Sequence, residues 1–328
     1  MTALRQSCRS VAMLLAVSCS ALAAGPTTST AQSFPSKPVH LVVPFAPGTA
    51  ADMIARLVAE GLQSKWQQPV VVENRAGASG NIGTEYVARS AADGYTLLVS
   101  PPPPLSINRF LFRSLSFKPS DLAIVTVLAS APNVLVAKLA IPASDVAELI
   151  NHAKTAKLNY ASTGRGGTPH LTMEWLASAA GIQLQHVPYS KGLASALNDL
   201  LGGHVDFMFV NLSDARAYVV SGKLKALGVT SAEAISALPE VAPISRVIPG
   251  LIMQTWFALA APGKTPAPLV MKIASDTVSV LSSPTVIERL RTMSLTVVGN
   301  SPTEASSFVE DDARRWRSVT EKIGLQPE

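Results

Sequence analysis

The sequence predicts an α/β fold built from doubly wound parallel sheets. Three observations carry this. Short runs rich in β-branched residues alternate with amphipathic helical stretches from Val39 onward. The same alternation starts again near Val134. Glycine-rich turns join strand ends to helix starts in both series. A strand–helix–strand order of this kind feeds right-handed crossovers and hence parallel sheets.

The first series opens with a strand at residues 40–44. Residues 50–63 follow as a helix, because Ile54, Leu57, Val58 and Leu62 recur at helical spacing. Val-Val-Val-Glu-Asn at 70–74 is the second strand. A turn at 76–80 enters a helix that runs to Ala88, and 96–100 is the third strand. In the second series 134–138 is a strand, 144–156 a helix capped by Ser144, and 158–161 a short strand. Residues 169–180 are helical, with Thr168 as N-cap and Pro169 at the first position. Strands at 184–187, 207–210 and 226–229 are joined by helices at 194–201 and 212–221. Helices at 267–282, 284–293 and 302–323 end the chain. The four prolines from Pro101 to Pro104 read as a stiff extended loop, since they suit neither helix nor inner strand.

The N-terminus reads as a secretory signal. Arg5 and Arg9 precede an apolar run at 11–23, and Ala21-Leu22-Ala23 offers a cleavage site, with a second near Ala31. The run is shorter than the roughly 20 residues of a membrane-spanning helix, and no other segment reaches that length. Residues 1–31 are thus signal peptide and leader. The remaining 295 or so residues suffice for two domains, placed in the periplasm. Both cysteines, Cys8 and Cys19, fall in the signal, which excludes a disulfide framework, a Cys metal site and a Cys nucleophile in the mature protein. Ala16 stands where a lipoprotein has leucine, against a lipid anchor at Cys19. Removing Arg5 and Arg9 takes the net charge from +5 to +3, which speaks for solubility and against nucleic-acid binding. The Arg314, Arg315 and Arg317 cluster beside Asp311 and Asp312 is a solvated helix face.

Three strand ends run into helix starts. They are Phe45-Ala46-Pro47-Gly48-Thr49, residues 75–80 with Ser79, and Ser162-Thr163-Gly164-Arg165-Gly166-Gly167-Thr168. In open parallel sheets ligands sit beyond the carboxyl ends of strands. Helix starts expose unpaired N–H groups and the positive dipole end, and glycine lets the backbone approach an anion. Three or four hydrogen bonds to a carboxylate, at about 1.5–3 kcal/mol each, approach the roughly 8 kcal/mol of a micromolar complex before association costs. Single residues stay open: Asp52 as acid of a capping box with Thr49 or as a contact, Phe45 as core or lid, Arg165 toward ligand or water. His170 is a contact or a support, and His186 reads as structural.

Enzyme motifs fail. Gly263-Lys264-Thr265 lacks the first glycine of a phosphate loop, which is Ala258 here. Asn81 spoils Gly-x-Ser-x-Gly after Gly77, and Pro169 spoils a dinucleotide fingerprint after Gly164 and Gly166. Five scattered histidines give no metal spacing. A hydrolase would need Ser162 and His170 as nucleophile and base, with no acid in evidence to orient the histidine. No catalytic residue, metal or cofactor is expected.

From Phe34 to the C-terminus the chain resembles the substrate-binding proteins of tripartite tricarboxylate transporters, the Bug family. The resemblance lies in Phe34-Pro-Ser-Lys-Pro-Val-His-Leu-Val-Val-Pro-Phe-Ala-Pro-Gly48, Gln68-Pro-Val-Val-Val-Glu-Asn-Arg75, Gly80-Asn-Ile-Gly83 and Asp93-Gly-Tyr-Thr96. It continues in Leu158-Asn-Tyr-Ala-Ser162, His186-Val-Pro-Tyr189, Asp199-Leu-Leu-Gly-Gly203 and Trp256. It implies a type II periplasmic binding protein fold, with two doubly wound lobes joined by crossing strands near 129–134 and 251–256. Lobe 1 is then 34–131 plus 252–328, and lobe 2 is 132–251. It also implies that the loops with Phe45, Ala46, Gly48 and Thr49, and with Ser162, Thr163, Gly164, Gly166, Gly167 and Thr168, grip one ligand carboxylate, partly through ordered water, and that the site draws on Tyr189 and Asn211; Asp52, Ser79 and His170 are further candidate contacts from the helix entrances themselves. The implied partners are a small organic acid and the membrane subunits of the transporter. The same closing lobes also serve a sensor kinase. A monomer without nucleic-acid contact is expected. The sequence departs from the family at Thr49, often a second glycine, at the four prolines, at Tyr189-Ser-Lys-Gly192 and at Val210, often an acid. These departures bear on the distal half of the ligand.

Overall fold

A computed structural model describes residues 34–164, 166–189 and 192–327. The expected signal, both cysteines and Arg165 lie outside the described residues. Contacts gather Lys37–Glu328 into one unit and Met1–Ser36 into another. Of the latter only residues 34–36 are described, and they hold no helix or strand.

The first series comprises β1 (Val39–Val43), α1 (Ala50–Trp66), β2 (Val70–Asn74), α2 (Asn81–Ala88) and β3 (Thr96–Ser100). The apolar face of α1 behaves as its spacing predicts: Ile54, Leu57, Val58 and Leu62 are all buried. The helix ends where Gln67 turns left-handed and its N–H bonds Gln63 O. Next come β4 (Leu122–Ala137), α3 (Val146–Ala153), β5 (Leu158–Ser162), α4 (Thr168–Ala180), β6 (Leu184–Pro188), α5 (Leu193–Leu201), β7 (Phe207–Asn211), α6 (Leu212–Val220) and β8 (Lys225–Val229). The chain closes with β9 (Gln254–Pro262), α7 (Ala267–Leu281), α8 (Pro284–Thr292), β10 (Thr296–Val297) and α9 (Pro302–Lys322).

The strands lie in the order β2-β1-β3-β9-β4-β7-β5-β6, with β8 and β10 also paired to β4. β1 is parallel to β2 and β3, and β5 to β6 and β7. The β3–β9, β9–β4 and β4–β7 pairs are antiparallel. β4 joins the two parallel groups. Its residues from Leu122 to Pro132 pair with β9, and those from Asn133 to Ala137 pair with β7. The sequence shows only its second half as a strand. Pro132 cannot donate to a ladder. Here it occupies the last β9-paired position, opposite Gln254, where β4 changes partners.

The two faces of the β4–β7–β5 group carry separate cores. Leu135, Tyr160, Phe207 and Phe209 pack on Met173, Leu176 and Ala177 of α4. On the other face Val134, Val136, Met208 and Val210 pack on Ala196, Leu197 and Leu200 of α5 and on Leu212 and Ala215 of α6.

Three local expectations are corrected. The prolines after β3 are not an extended loop. Pro102 has helical φ and ψ, and Pro103–Ile107 form a π-helical turn. First-turn N–H groups have no intrahelical acceptor, so prolines cost nothing there. Ser106 fixes this turn by donating to Asp312 Oδ2 of α9 at 2.7 Å. The N-cap of α4 is Gly167, and Thr168 is its first residue. The N-cap of α3 is Asp145, which accepts from Glu148 N at 2.8 Å, while Ser144 donates to the Glu148 carboxylate.

Candidate ligand-binding site

The first entrance, between β1 and α1, is folded around one buried carboxylate. Asp52 is 2 % exposed. Its Oδ2 accepts from the Gly48 amide at 3.0 Å and from Arg56 Nε at 3.0 Å. Its Oδ1 accepts from Asn74 Nδ2 at 2.9 Å and from Arg56 Nη2 at 3.0 Å. Asn74 also donates to Phe45 O, tying β2 to the loop. Burial works against the charge on Asp52, but Arg56, Gly48 and Asn74 outweigh it and hold the carboxyl below its ordinary value. The expected capping box is therefore corrected. Asp52 bonds the Gly48 amide in place of the Thr49 amide, and the Thr49 hydroxyl donates to Ala46 O. Asp52 shapes the loop, and Gly48, at φ +80°, lends its amide to that acid. Ala46 and Gly48 are exposed, and Phe45 and Thr49 are half-buried.

The second entrance follows β2. Ala78 and Ser79 both have positive φ, a conformation L residues adopt at a cost of roughly 1–2 kcal/mol each. Asn108 holds it: its Nδ2 donates to Ser79 O at 3.0 Å and to Asn81 Oδ1 at 2.6 Å. A Cβ on Gly80 would lie 3.0 Å from the Phe45 ring and 3.2 Å from Pro104. Phe45 is thus packed against this loop and the proline turn.

The third entrance runs from β5 to α4. Ser162 Oγ donates to Gly164 O and accepts from Gly164 N, closing the turn on itself. His186 Nε2 lies 2.7 Å from the same oxygen. The Gly166 amide donates to His170 Nδ1 at 3.2 Å. The His170 and His186 ring centroids are 4.3 Å apart, and His186 stacks on Tyr160 at 4.8 Å. Two imidazoles and a phenol thus support the loop from the sheet side. Thr168 is 2 % exposed, and its Oγ1 has no hydrogen-bond partner among the described residues. Thr163 is exposed.

Tyr189 and Asn211 complete the residues the sequence singles out. The Tyr189 amide donates to Ser162 O at 2.8 Å, and its hydroxyl donates to Asp199 Oδ2 at 2.6 Å. Burial, and then the hydrogen bond to Asp199 and its charge, push the phenol up to about 12. Asn211 caps α6, and its Oδ1 is buried without a partner among the described residues. Nearby, burial pushes Asp214 up to about 6, against a hydrogen bond from the Asn211 side chain.

The segment after β3 touches two of the entrances. Pro104 lies beside Gly80 and Phe45, and a Cβ on Gly166 would fall 2.2 Å from Leu111 Cδ1. Leu111 belongs to a cluster with Ile107, with Leu171 of α4, and with Trp316 and Val319 of α9. Sequence reasoning missed Leu111 and the hydrogen bond of Tyr189 to Asp199, while His186 supports the loop as its structural reading expects. The strand alternation held a signal for His186 alone: it is the register partner of Tyr160.

A family model described as the tripartite tricarboxylate transporter family receptor, TctC, matches residues 54–325. The chain belongs to this family. It is 34 % identical over 301 residues to protein BugT of Bordetella pertussis, covering 90 % of this chain and 92 % of that protein. R. palustris Rpa4515 with adipate is similar in structure, with a TM-score of 0.84 and 34 % identity over 90 % of this chain and all of the other. MatC of Rhodopseudomonas palustris with bound malate gives a TM-score of 0.79 and 29 % identity over 87 % of this chain and 99 % of the other. The fold of this TctC-family chain is the α/β periplasmic binding protein fold. The family is one of solute-binding proteins and not of enzymes. Among the described residues no helix is long and apolar enough to cross a membrane.

Proposed function

We propose that the chain captures a small organic acid in the periplasm and delivers it to the membrane subunits of a tripartite transporter. Lobe 1, residues 34–131 plus 252–328, closes on lobe 2, residues 132–251, around the ligand. One ligand carboxylate sits between the Phe45–Thr49 loop and the first turn of α4. The third entrance carries this reading. It combines a glycine N-cap, a helix start and a loop held by Ser162, His186 and His170. Such a turn offers backbone donors and a positive dipole end to an anion. The adipate of Rpa4515 and the malate of MatC support a carboxylate as ligand.

Gly167→Val tests it. The Gly167 backbone, at φ −68° and ψ 153°, suits a β-branched residue. A Cβ there meets nothing closer than Pro169 Cδ at 3.8 Å. The fold should survive, with stability changed by less than about 1 kcal/mol. Calorimetric affinity for a carboxylate that binds the parent protein should fall at least ~100-fold, or about 2.7 kcal/mol, as the side chain fills the carboxylate space. An unchanged affinity in the folded variant would sink the placement.

A further inference from the structure

Three buried side-chain atoms near the start of α4 have no hydrogen-bond partner among the described residues: Asn133 Nδ2, Thr168 Oγ1 and Asn211 Oδ1. Asn133 is fully buried and Thr168 nearly so. Buried polar atoms without partners are rare and ask for a cause. These three are far apart in sequence and close in the fold.

Asn133 of β4 and Asn211 of β7 are direct cross-strand partners. Both main-chain groups of Asn133 turn the other way, to Thr230. Its N–H donates to Thr230 Oγ1 at 2.8 Å, and its C=O accepts from Thr230 N at 2.9 Å. The Asn133–Asn211 pair is therefore of the non-hydrogen-bonded kind, in which opposed side chains stand closest. Strand alternation puts both on the face of Leu135, Phe207 and Phe209, the face that α4 covers. Asn211 ends β7, and Thr168 opens α4 just beyond the end of the parallel strand β5. The two amides and the hydroxyl thus share one end of one sheet face, under the helix start.

Their polarities are fixed. Thr255 Oγ1 donates to Asn133 Oδ1 at 3.1 Å, which leaves Nδ2 to donate. Asn211 Oδ1, an amide oxygen buried without a partner among the described residues, can only accept. A donor and an acceptor side by side match a single group that is both. A second carboxylate has no proton to give Asn211, an ammonium has no lone pair for Asn133, and an alkyl carbon has neither. A hydroxyl has both.

We propose that Asn133 and Asn211 read a hydroxyl on the bound acid, so that the chain selects hydroxy acids over their deoxy counterparts. This rests on the carboxylate reading above. None of the three atoms is open to solvent in this conformation, so the ligand meets them in a conformation in which the start of α4 has shifted.

The test is calorimetric titration of ligand-stripped protein with matched acids: malate against succinate, and 3-hydroxybutyrate against butyrate. The hydroxy acid should bind at least about tenfold tighter in one pair or both, because its absence leaves buried groups unpaired. In Asn211→Ala that preference should shrink to about threefold or less, with the deoxy acid little affected. Should Asn211→Ala fail to fold, the parent-protein comparison stands alone, and Asn133→Ser supplies the variant. Equal binding within every pair overturns the hydroxyl inference and leaves the carboxylate reading intact. So does a preference that survives loss of the Asn211 amide. Binding of neither member of any pair contradicts the carboxylate reading and the inference with it.

Discussion

The Asp52 carboxylate takes hydrogen bonds from the Gly48 amide, from Asn74 and from Arg56 while it is almost fully buried. Asp52→Ala strands the Gly48 amide and the Asn74 side chain, so it should lower stability by about 1–3 kcal/mol in denaturant unfolding and loosen ligand binding as well. The folded-state pKa of Asp52 is depressed below 3.8. Its contribution is therefore full above pH 3.8 and disappears as pH falls through the lower folded value. Asp214 has the opposite sign. Its carboxyl stands at about 6 against 3.8 unfolded, so the folded state binds the proton more tightly and stability declines as pH rises through that window. Asp214→Asn should raise stability at pH 7 by about 2–3 kcal/mol, with the gain gone below about pH 4. Parallel unfolding curves at both pH values check this. A variant equally stable or weaker at pH 7 would contradict the assigned cause.

At the scale of elements, the contact between the third entrance and the segment after β3 is the one most open to measurement. Gly166 has φ +79°, and any side chain on it runs into Leu111. Gly166→Ala should cost about 2–4 kcal/mol, from left-handed strain and overpacking together. Adding Leu111→Ala should return the overpacking share and leave the strain, a coupling that a double-mutant cycle reads directly. Strictly additive losses would mean that the two side chains do not compete for space. Much of this layer is legible in the sequence. The spacing of Ile54, Leu57, Val58 and Leu62 reveals α1, and Val-Val-Val-Glu-Asn reveals β2. The helix entrances show as glycines between strand and helix patterns. What stays hidden depends on long-range geometry. The strand pattern shows only from Val134, because nothing local tells that the strand runs through Pro132 and changes partners there. Pro101 to Pro104 read as extended because the anchor for their helical turn, Asp312 on Ser106, lies in the last helix. Asn133 looks like an ordinary residue beside a proline until the register puts it opposite Asn211.

For the molecule as a whole, β4 and β9 are the strands on which both parallel groups meet, and helix entrances cluster at the ends of those groups. A chain that switches sheet partners within one strand has a natural place to bend, at Pro132 and Asn133. A hinge proposed at this point would lie beside the proposed hydroxyl contact and would link ligand chemistry to closure. Asn133→Ser should weaken hydroxy-acid binding and also leave a larger share of open molecules at saturating ligand, read as a larger radius of gyration in solution scattering. A scattering curve unchanged from the parent protein would separate the contact from the closure. The central claim, a carboxylate held at the start of α4, is tested most directly by a crystal structure of the protein with its bound acid. The prediction is a carboxylate within about 3 Å of backbone amides in the first turn of α4, facing the Phe45–Thr49 loop. An acid bound elsewhere, with that turn facing only water, would contradict it.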